Sequence, residues 1–255
     1  SRKLIEIGCR VYGLGKNFVG FPLENTDFVP VTCDLSNTAH LCQVVQEILD
    51  KEKDLYVLVN HARCSTLAPH EKQELNDLEE LVQTNLLTPL ILTRLALPSL
   101  IRLKGYVINI CVPKLPEGTK PGSAFLATEE ALRTFSDQLF GEVRRDKVKV
   151  CTLALDTLGA KALFEKGFNE RDNDDLILAS ESIAQAVEFI LSQKKESVIS
   201  RLDVRPQKGE PDDEDRQALR KVSPPASYVS KKTDSKIVIG RLQKAAVPET
   251  KDQAP

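Results

Sequence analysis

Six short apolar runs, spaced by longer stretches whose apolar residues recur every three or four positions, constrain this chain more than any other feature. The runs are residues 9–14, 28–33, 55–59, 106–111, 148–155 and 198–204. Most are nearly continuous in apolar side chains, as strands are when both sheet faces are covered. Between them, Leu41, Val44, Val45, Ile48 and Leu49 fall on one helical face, as do Leu132, Phe135, Leu139, Phe140 and Val143. A region over residues 75–103 is apolar all round, which predicts a buried helix. Ser180 precedes Ile183, Val187, Ile190 and Leu191 and reads as the cap of a last helix. Strands alternating with helices predict βαβ units, hence an α/β, Rossmann-like, doubly wound parallel sheet.

The pattern ends near Gln207, so residues 1–207 are expected to form one domain. Residues 208–255 form an extended tail of low hydrophobicity, with an acidic run at 212–215. Inside it, Lys236-Ile237-Val238-Ile239-Gly240 is a compact strand-like exception. The formal charge of −2 invites neither nucleic acid nor an anionic membrane. The apolar stretch 86–101 carries Pro89, Arg94 and Pro98 and falls short of the ~20 residues of a spanning helix. Cys9, Cys33, Cys42, Cys64, Cys111 and Cys151 form no CxxC pair and read as packed, reduced thiols. With no apolar signal segment after Ser1-Arg2-Lys3, an intracellular location, cytoplasmic or in an organelle matrix, is expected.

Specific residues then fall in a familiar order. Lys16 follows the first run, Asp34 ends the second in Cys-Asp-Leu-Ser, and residues 58–63 read Leu-Val-Asn-His-Ala-Arg. Asn85 lies in Thr-Asn-Leu-Leu, and residues 107–112 read Val-Ile-Asn-Ile-Cys-Val. Over about four fifths of its length the chain thereby resembles the short-chain dehydrogenase/reductase family. The resemblance implies that Lys16 stands where a basic residue meets the 2′-phosphate of NADP, and Asp34 where an acid meets adenine. It matches Asn60 and Ala62 to the Asn-Asn-Ala-Gly signature, and Asn85 to the asparagine of a proton relay.

The same resemblance places Val112 at the catalytic serine, Phe125, thirteen residues on, at the tyrosine, and Glu129, four further, at the lysine. In active members the tyrosine hydroxyl exchanges a proton with the substrate oxygen while the nicotinamide exchanges a hydride, and Phe125 has no such proton. An isopropyl group cannot replace the serine hydroxyl at a developing oxyanion. Glu129 reverses the charge that lowers the tyrosine pKa. The family's first strand and its glycine-rich turn, which receives the pyrophosphate, find no counterpart before Cys9. That strand belongs at the centre of the sheet, between the runs near Val11 and Leu58, where an empty slot would orphan two rows of backbone groups. Three explanations stand open: a fragment, a strand inserted by a partner, or self-complementation by residues 236–240.

The expectation is a catalytically inactive structural or interaction subunit with no cofactor and no metal. The alternative is an NAD(P)-dependent oxidoreductase, or a sensor that binds NADP or NAD without turnover. His61 reads as a polar cleft residue, and Cys64 and Cys111 as packing. The family commonly pairs subunits through the helices that correspond to residues 75–103 and 123–145, which implies a homo- or hetero-oligomer. The tail is a candidate for binding a protein partner.

Overall fold

The computed structural model describes residues 1–18, 25–115, 122–155, 180–205 and 237–242. A short helix α1 (Arg2–Glu6) leads through Gly8, at φ 84°, into β1 (Cys9–Gly15). After β2 (Phe28–Thr32), helix α2 (Thr38–Glu52) begins at Asn37, whose side chain accepts the His40 N–H and satisfies one of the helix's free donors. β3 (Val57–Asn60) is followed by a helix over Leu75–Leu103, made of α3 (Leu75–Val82), one wide π turn (Gln83–Leu87) and α4 (Thr88–Leu103). β4 (Tyr106–Cys111), α5 (Ser123–Val143), β5 (Lys149–Leu155), α6 (Ser180–Leu191) and β6 (Arg201–Val204) complete the alternation. Gly105 separates α4 from β4 where a Cβ would stand 2.3 Å from the Tyr56 carbonyl oxygen, so this turn requires glycine.

Strand pleating sends alternate side chains to two cores. Tyr12, Leu14, Leu58, Val107 and Val150 meet α2, α4 and α5 through Leu41, Val45, Leu92, Leu100 and Leu139. Val11, Val57, Val59, Ile108, Cys151 and Leu153 meet α1 and α6 through Leu4, Val187 and Ile190. Covered on both faces, the inner strands β1, β3, β4 and β5 have no need of polar alternation, whereas the edge strand β6, Arg-Leu-Asp-Val, alternates. All six cysteines are free thiols, four of them buried.

The predicted runs shift by a few residues at their ends. The sheet itself departs from the expected all-parallel arrangement in one respect. Its order is β2-β1-β7-β3-β4-β5-β6, and β7 (Ile237–Leu242) runs antiparallel between β1 and β3. Gly240 lies opposite Val11 on one side and Val57 on the other, and its carbonyl accepts the Tyr56 N–H. The strand-like exception in the tail therefore fills the central slot, and of the three explanations left open by the sequence the chain's own strand is the one observed. The direction has a topological cause. β6 ends beside the C-terminal end of β5, at the same end of the sheet where Ile237 pairs with Leu14. A chain leaving and re-entering at one end is antiparallel, whereas a parallel strand would require a crossover to the opposite end.

The apolar stretch read as too short to span a bilayer belongs to a 29-residue helix, Leu75–Leu103, which has the length and composition to do so. Pro98 does not end it, and the π turn keeps it continuous. In the fold this helix packs against α2, α5, β3 and β4. The tail residues 206–236 and 243–255, the acidic run at 212–215 among them, and the Ser180 side chain lie outside the described residues.

Candidate functional site

In a sheet of this kind ligands meet the C-terminal ends of the parallel strands. Here β1, β3 and β4 deliver Gly15, Asn60 and Cys111 to that end, and the first half of α5 lies across it. Every candidate residue from the sequence falls in this region, in two groups.

The first group is polar and outer. Lys16 Nζ stands 3.0 Å from Asp34 Oδ1 and 3.5 Å from a Glu80 carboxylate oxygen. Asp34 also accepts the Ser36 N–H at 3.0 Å and the Ser36 hydroxyl at 2.6 Å. Partial burial pushes the Asp34 carboxyl up, but Ser36 and the Lys16 ammonium outweigh it and hold the group below its ordinary value. Desolvation likewise lowers Lys16, and Asp34 and Glu80 more than restore it. Lys16 and Asp34 thus come together as a pair, joined by Glu80, which the sequence reading did not single out.

The second group gathers the residues that the sequence resemblance sets at the catalytic positions, and it is closed. Leu81, Val112 and Phe125 are fully buried against one another, with Cys64, Leu67, Leu115 and Leu126 packed around them. Glu129, one turn along α5 from Phe125, is also buried. One of its carboxylate oxygens accepts the Val112 N–H at 2.6 Å, and the other lies 2.8 Å from Arg63 Nε. The Arg63 contact is ionic more than an aligned hydrogen bond. Arg63 is itself buried and donates to the Ala62 carbonyl at 2.7 Å. Burial drives the Glu129 carboxyl upward, partly offset by Arg63 and the Val112 N–H. Arg63 follows the signature residues Asn60 and Ala62 and was not singled out. The signal was present in the resemblance, which sets one residue of each sign against an expected one of different charge: Arg63 at the glycine of the signature and Glu129 at the lysine.

Asn85 sits in the π turn with no exposure. Its side chain accepts the Cys64 N–H at 2.7 Å, donates to the Cys64 carbonyl at 2.9 Å and donates to Thr128 Oγ1 at 3.2 Å. It ties the segment after β3 to α3, α4 and α5. The backbone it satisfies belongs to Cys64. Asn60 donates to Asn109 at 2.7 Å and Asn109 to Ser136 at 2.8 Å, a buried polar ladder beneath the site. Ala62 is buried beside it. Burial pushes Cys111 up to about 12 and also raises Cys64, so neither thiol is poised to react. No cluster of three metal-ligating side chains occurs among the described residues.

His61 ends β3 with part of its surface accessible, but its Nδ1 is buried and has no partner among the described residues. Burial and then the Arg63 guanidinium push its pKa down to about 4. A histidine whose folded pKa lies below its unfolded value of 6.5 contributes stability that is intact above 6.5 and is lost as pH falls toward 4. Between pH 7 and 5 this group is expected to remove about 2 kcal/mol. Urea midpoints of the native chain and of His61→Asn at the two pH values check this. The variant should lose visibly less over the interval, and equal losses would remove His61 from the account.

Residues 8–165 match the family model described as short chain dehydrogenase. The chain is 24% identical to a serine 3-dehydrogenase of Rhizobium radiobacter over 217 residues, covering 81% of this chain and 87% of that protein. Among solved structures it resembles a metagenomic short-chain oxidoreductase in complex with NADP, with 25% identity, a TM-score of 0.64, and 81% and 90% of the two chains covered. It also resembles serine dehydrogenase from Escherichia coli, with 20% identity and a TM-score of 0.67 over 82% and 92% of the two chains.

Proposed function

Since this chain belongs to the short-chain dehydrogenase family, we propose that it keeps the family's scaffold without the family's proton relay and serves as a structural or interaction subunit. The observation that carries this reading is the buried Arg63–Glu129 pair, held at 2.8 Å beside Phe125 and Val112. A relay needs a hydroxyl that can release its proton and a cation that favours the released state. Phe125 supplies no hydroxyl, and the charge of Glu129 is already committed to Arg63 and the Val112 N–H.

The residues present also fit a dinucleotide cofactor poorly. The pyrophosphate site of this fold is a turn between a central strand and the N-terminus of the next helix. β7 enters the sheet at the ligand end and leaves it at the other, so it cannot be followed by such a turn at the cofactor. Lys16, which would meet a 2′-phosphate, is held by Asp34 and Glu80. The exposed Leu75, Val82, Leu87 and Ile101 on the helix over Leu75–Leu103 offer apolar contacts to a second subunit. α5 packs beside this helix.

A second reading, an NAD(P)-dependent oxidoreductase, is favoured by the relatives, which are named as dehydrogenases and oxidoreductases and one of which was solved with NADP. The sequence resemblance, which assigns Lys16, Asp34, Asn60 and Ala62 to the cofactor and Asn85 to the relay, supports the same reading. Calorimetry with NADPH and NADH on the full chain, with nicotinamide absorbance followed on L-serine and a carbonyl panel, separates the readings. The proposal expects neither micromolar binding nor turnover. Binding without turnover would make the chain a nucleotide sensor. Turnover lost on Lys16→Ala or Asn85→Ala would establish the oxidoreductase and overturn the proposal.

A further inference from the structure

Among the described residues, β7 is the one strand with no helix joined to it in the chain. β1 follows α1, β3 lies between α2 and α3, β4 between α4 and α5, and α6 leads toward β6. Withdrawing any of these strands would drag a packed helix with it. The described element before β7 is β6, not a helix. Its described connections are its backbone ladders to β1 over Cys9 to Leu14 and to β3 over Val57 to Val59. Its one described side-chain position is undemanding, since a Cβ on Gly240 would meet Val57 and Cys9 at 3.6 to 3.8 Å, ordinary contact.

The tether is long for its task. β6 ends at Val204 and β7 begins at Ile237, leaving 32 residues between them, 205–236. Fully extended they reach roughly 100 Å. The four sheet positions from β6 to β7 span only about 19 Å at the usual strand spacing. Both attachment points lie at the same end of the sheet, so the chain need not pass around the molecule to reach the slot. A connection of 32 residues exceeds the required span several-fold, so its length does not confine the strand to its own slot. An identical strand on a neighbouring molecule sees the same slot, forms the same hydrogen bonds and can be supplied from outside.

We propose that the slot between β1 and β3 is a strand-accepting groove, and that residues 237–242 of a second copy fill it in place of the chain's own, giving strand-exchanged assemblies. The exchange forms no contact absent from the single chain, so its extent is set by protein concentration and not by a new interface. The occupant is defined by chemistry: an extended segment entering antiparallel from the ligand end of the sheet, with its backbone bonded on both sides. The inference is independent of whether the family's chemistry survives.

The register supplies a direct test. Cys9 lies opposite Leu242, and directly opposed antiparallel residues fall within disulfide range. In the first arm the Leu242→Cys variant is oxidised at mildly alkaline pH and low protein concentration. A link between Cys9 and the new thiol within one chain is expected, and its absence would overturn the slot assignment itself. In the second arm a chain carrying both Leu242→Cys and Cys9→Ser is incubated with an unaltered, mass-tagged chain before oxidation. A covalent heterodimer is expected, mapped by peptide mass spectrometry to Cys9 of the tagged chain and position 242 of the other, increasing at least several-fold over a tenfold rise in concentration. If the first arm links and the second yields no such heterodimer above a Cys9→Ser control, the strand is bound only in cis and the proposal fails.

Discussion

Substituting proline at Ile239 is expected to cost the full chain at least about 3 kcal/mol and to open the sheet at its centre. Ile239 lies opposite Tyr12 on β1 and opposite Leu58 on β3. In a strand bonded on both sides every N–H is committed to one neighbour or the other, so proline necessarily removes a ladder bond and leaves an acceptor unsatisfied. A buried acceptor left without its donor costs about 1–3 kcal/mol. If the strand is expelled, the facing edges of β1 and β3 lose their partners together. Urea unfolding should show the loss of stability, and amide exchange at Val11 through Leu14 and at Val57 through Val59 should accelerate more than in α5 or β5. An unchanged midpoint with unchanged exchange would mean that residues 237–242 do not occupy the slot.

The alternation of runs was enough to read the fold because the inner strands β1, β3, β4 and β5 bury both faces and the helices bury one. Val107, Ile108 and Ile110 in β4, and Leu132, Leu139 and Val143 in α5, declare their environments in their own side chains. Which strand fills the centre was not legible in the same way. Residues 236–240 have the composition of a buried strand, but nothing local says where a strand at the end of a long connection will pair, and loop closure adds only a slowly growing cost with length. The decisive information was the empty place itself, between the strands of Val11 and Val57, together with the absence elsewhere in the tail of another run able to fill it. Direction became intelligible only with β6 placed, since it follows from the end of the sheet at which that strand finishes.

At the candidate site, single positions were legible and their pairings were not. Val112, Phe125 and Glu129 could be located by spacing, and the structure does bring them into one buried region. Lys16 and Asp34 could be placed near each other, but Glu80 approaches from α3, far along the chain. Arg63 is the instructive miss. Taken alone it is a long cation in a signature that elsewhere carries glycine, and Glu129 alone is an acid in a lysine's place. Neither charge is tolerable in a buried site without the other, so the two departures have to be read as one.

That coupling sets the last expected result. Glu129→Gln keeps the shape of the side chain and an acceptor for the Val112 N–H, but leaves the Arg63 guanidinium buried beside a neutral group. Removing one partner of a buried pair costs about 3–5 kcal/mol, mostly because the other charge stays desolvated. Arg63→Met, which strands the Glu129 carboxylate, should cost a similar amount. Removing both charges together replaces a buried ion pair by neutral groups of comparable volume, a change often near neutral, so Arg63→Met with Glu129→Gln should stand well above either single variant. Denaturant unfolding of the four proteins completes the cycle. Strictly additive losses would show that the two residues do not stabilise one another. A strongly non-additive result would identify them as a single structural unit. Placing lysine at position 129 with Arg63 unchanged would set two cations against each other in the core, so Glu129→Lys is expected to be tolerated only together with a neutral residue at position 63.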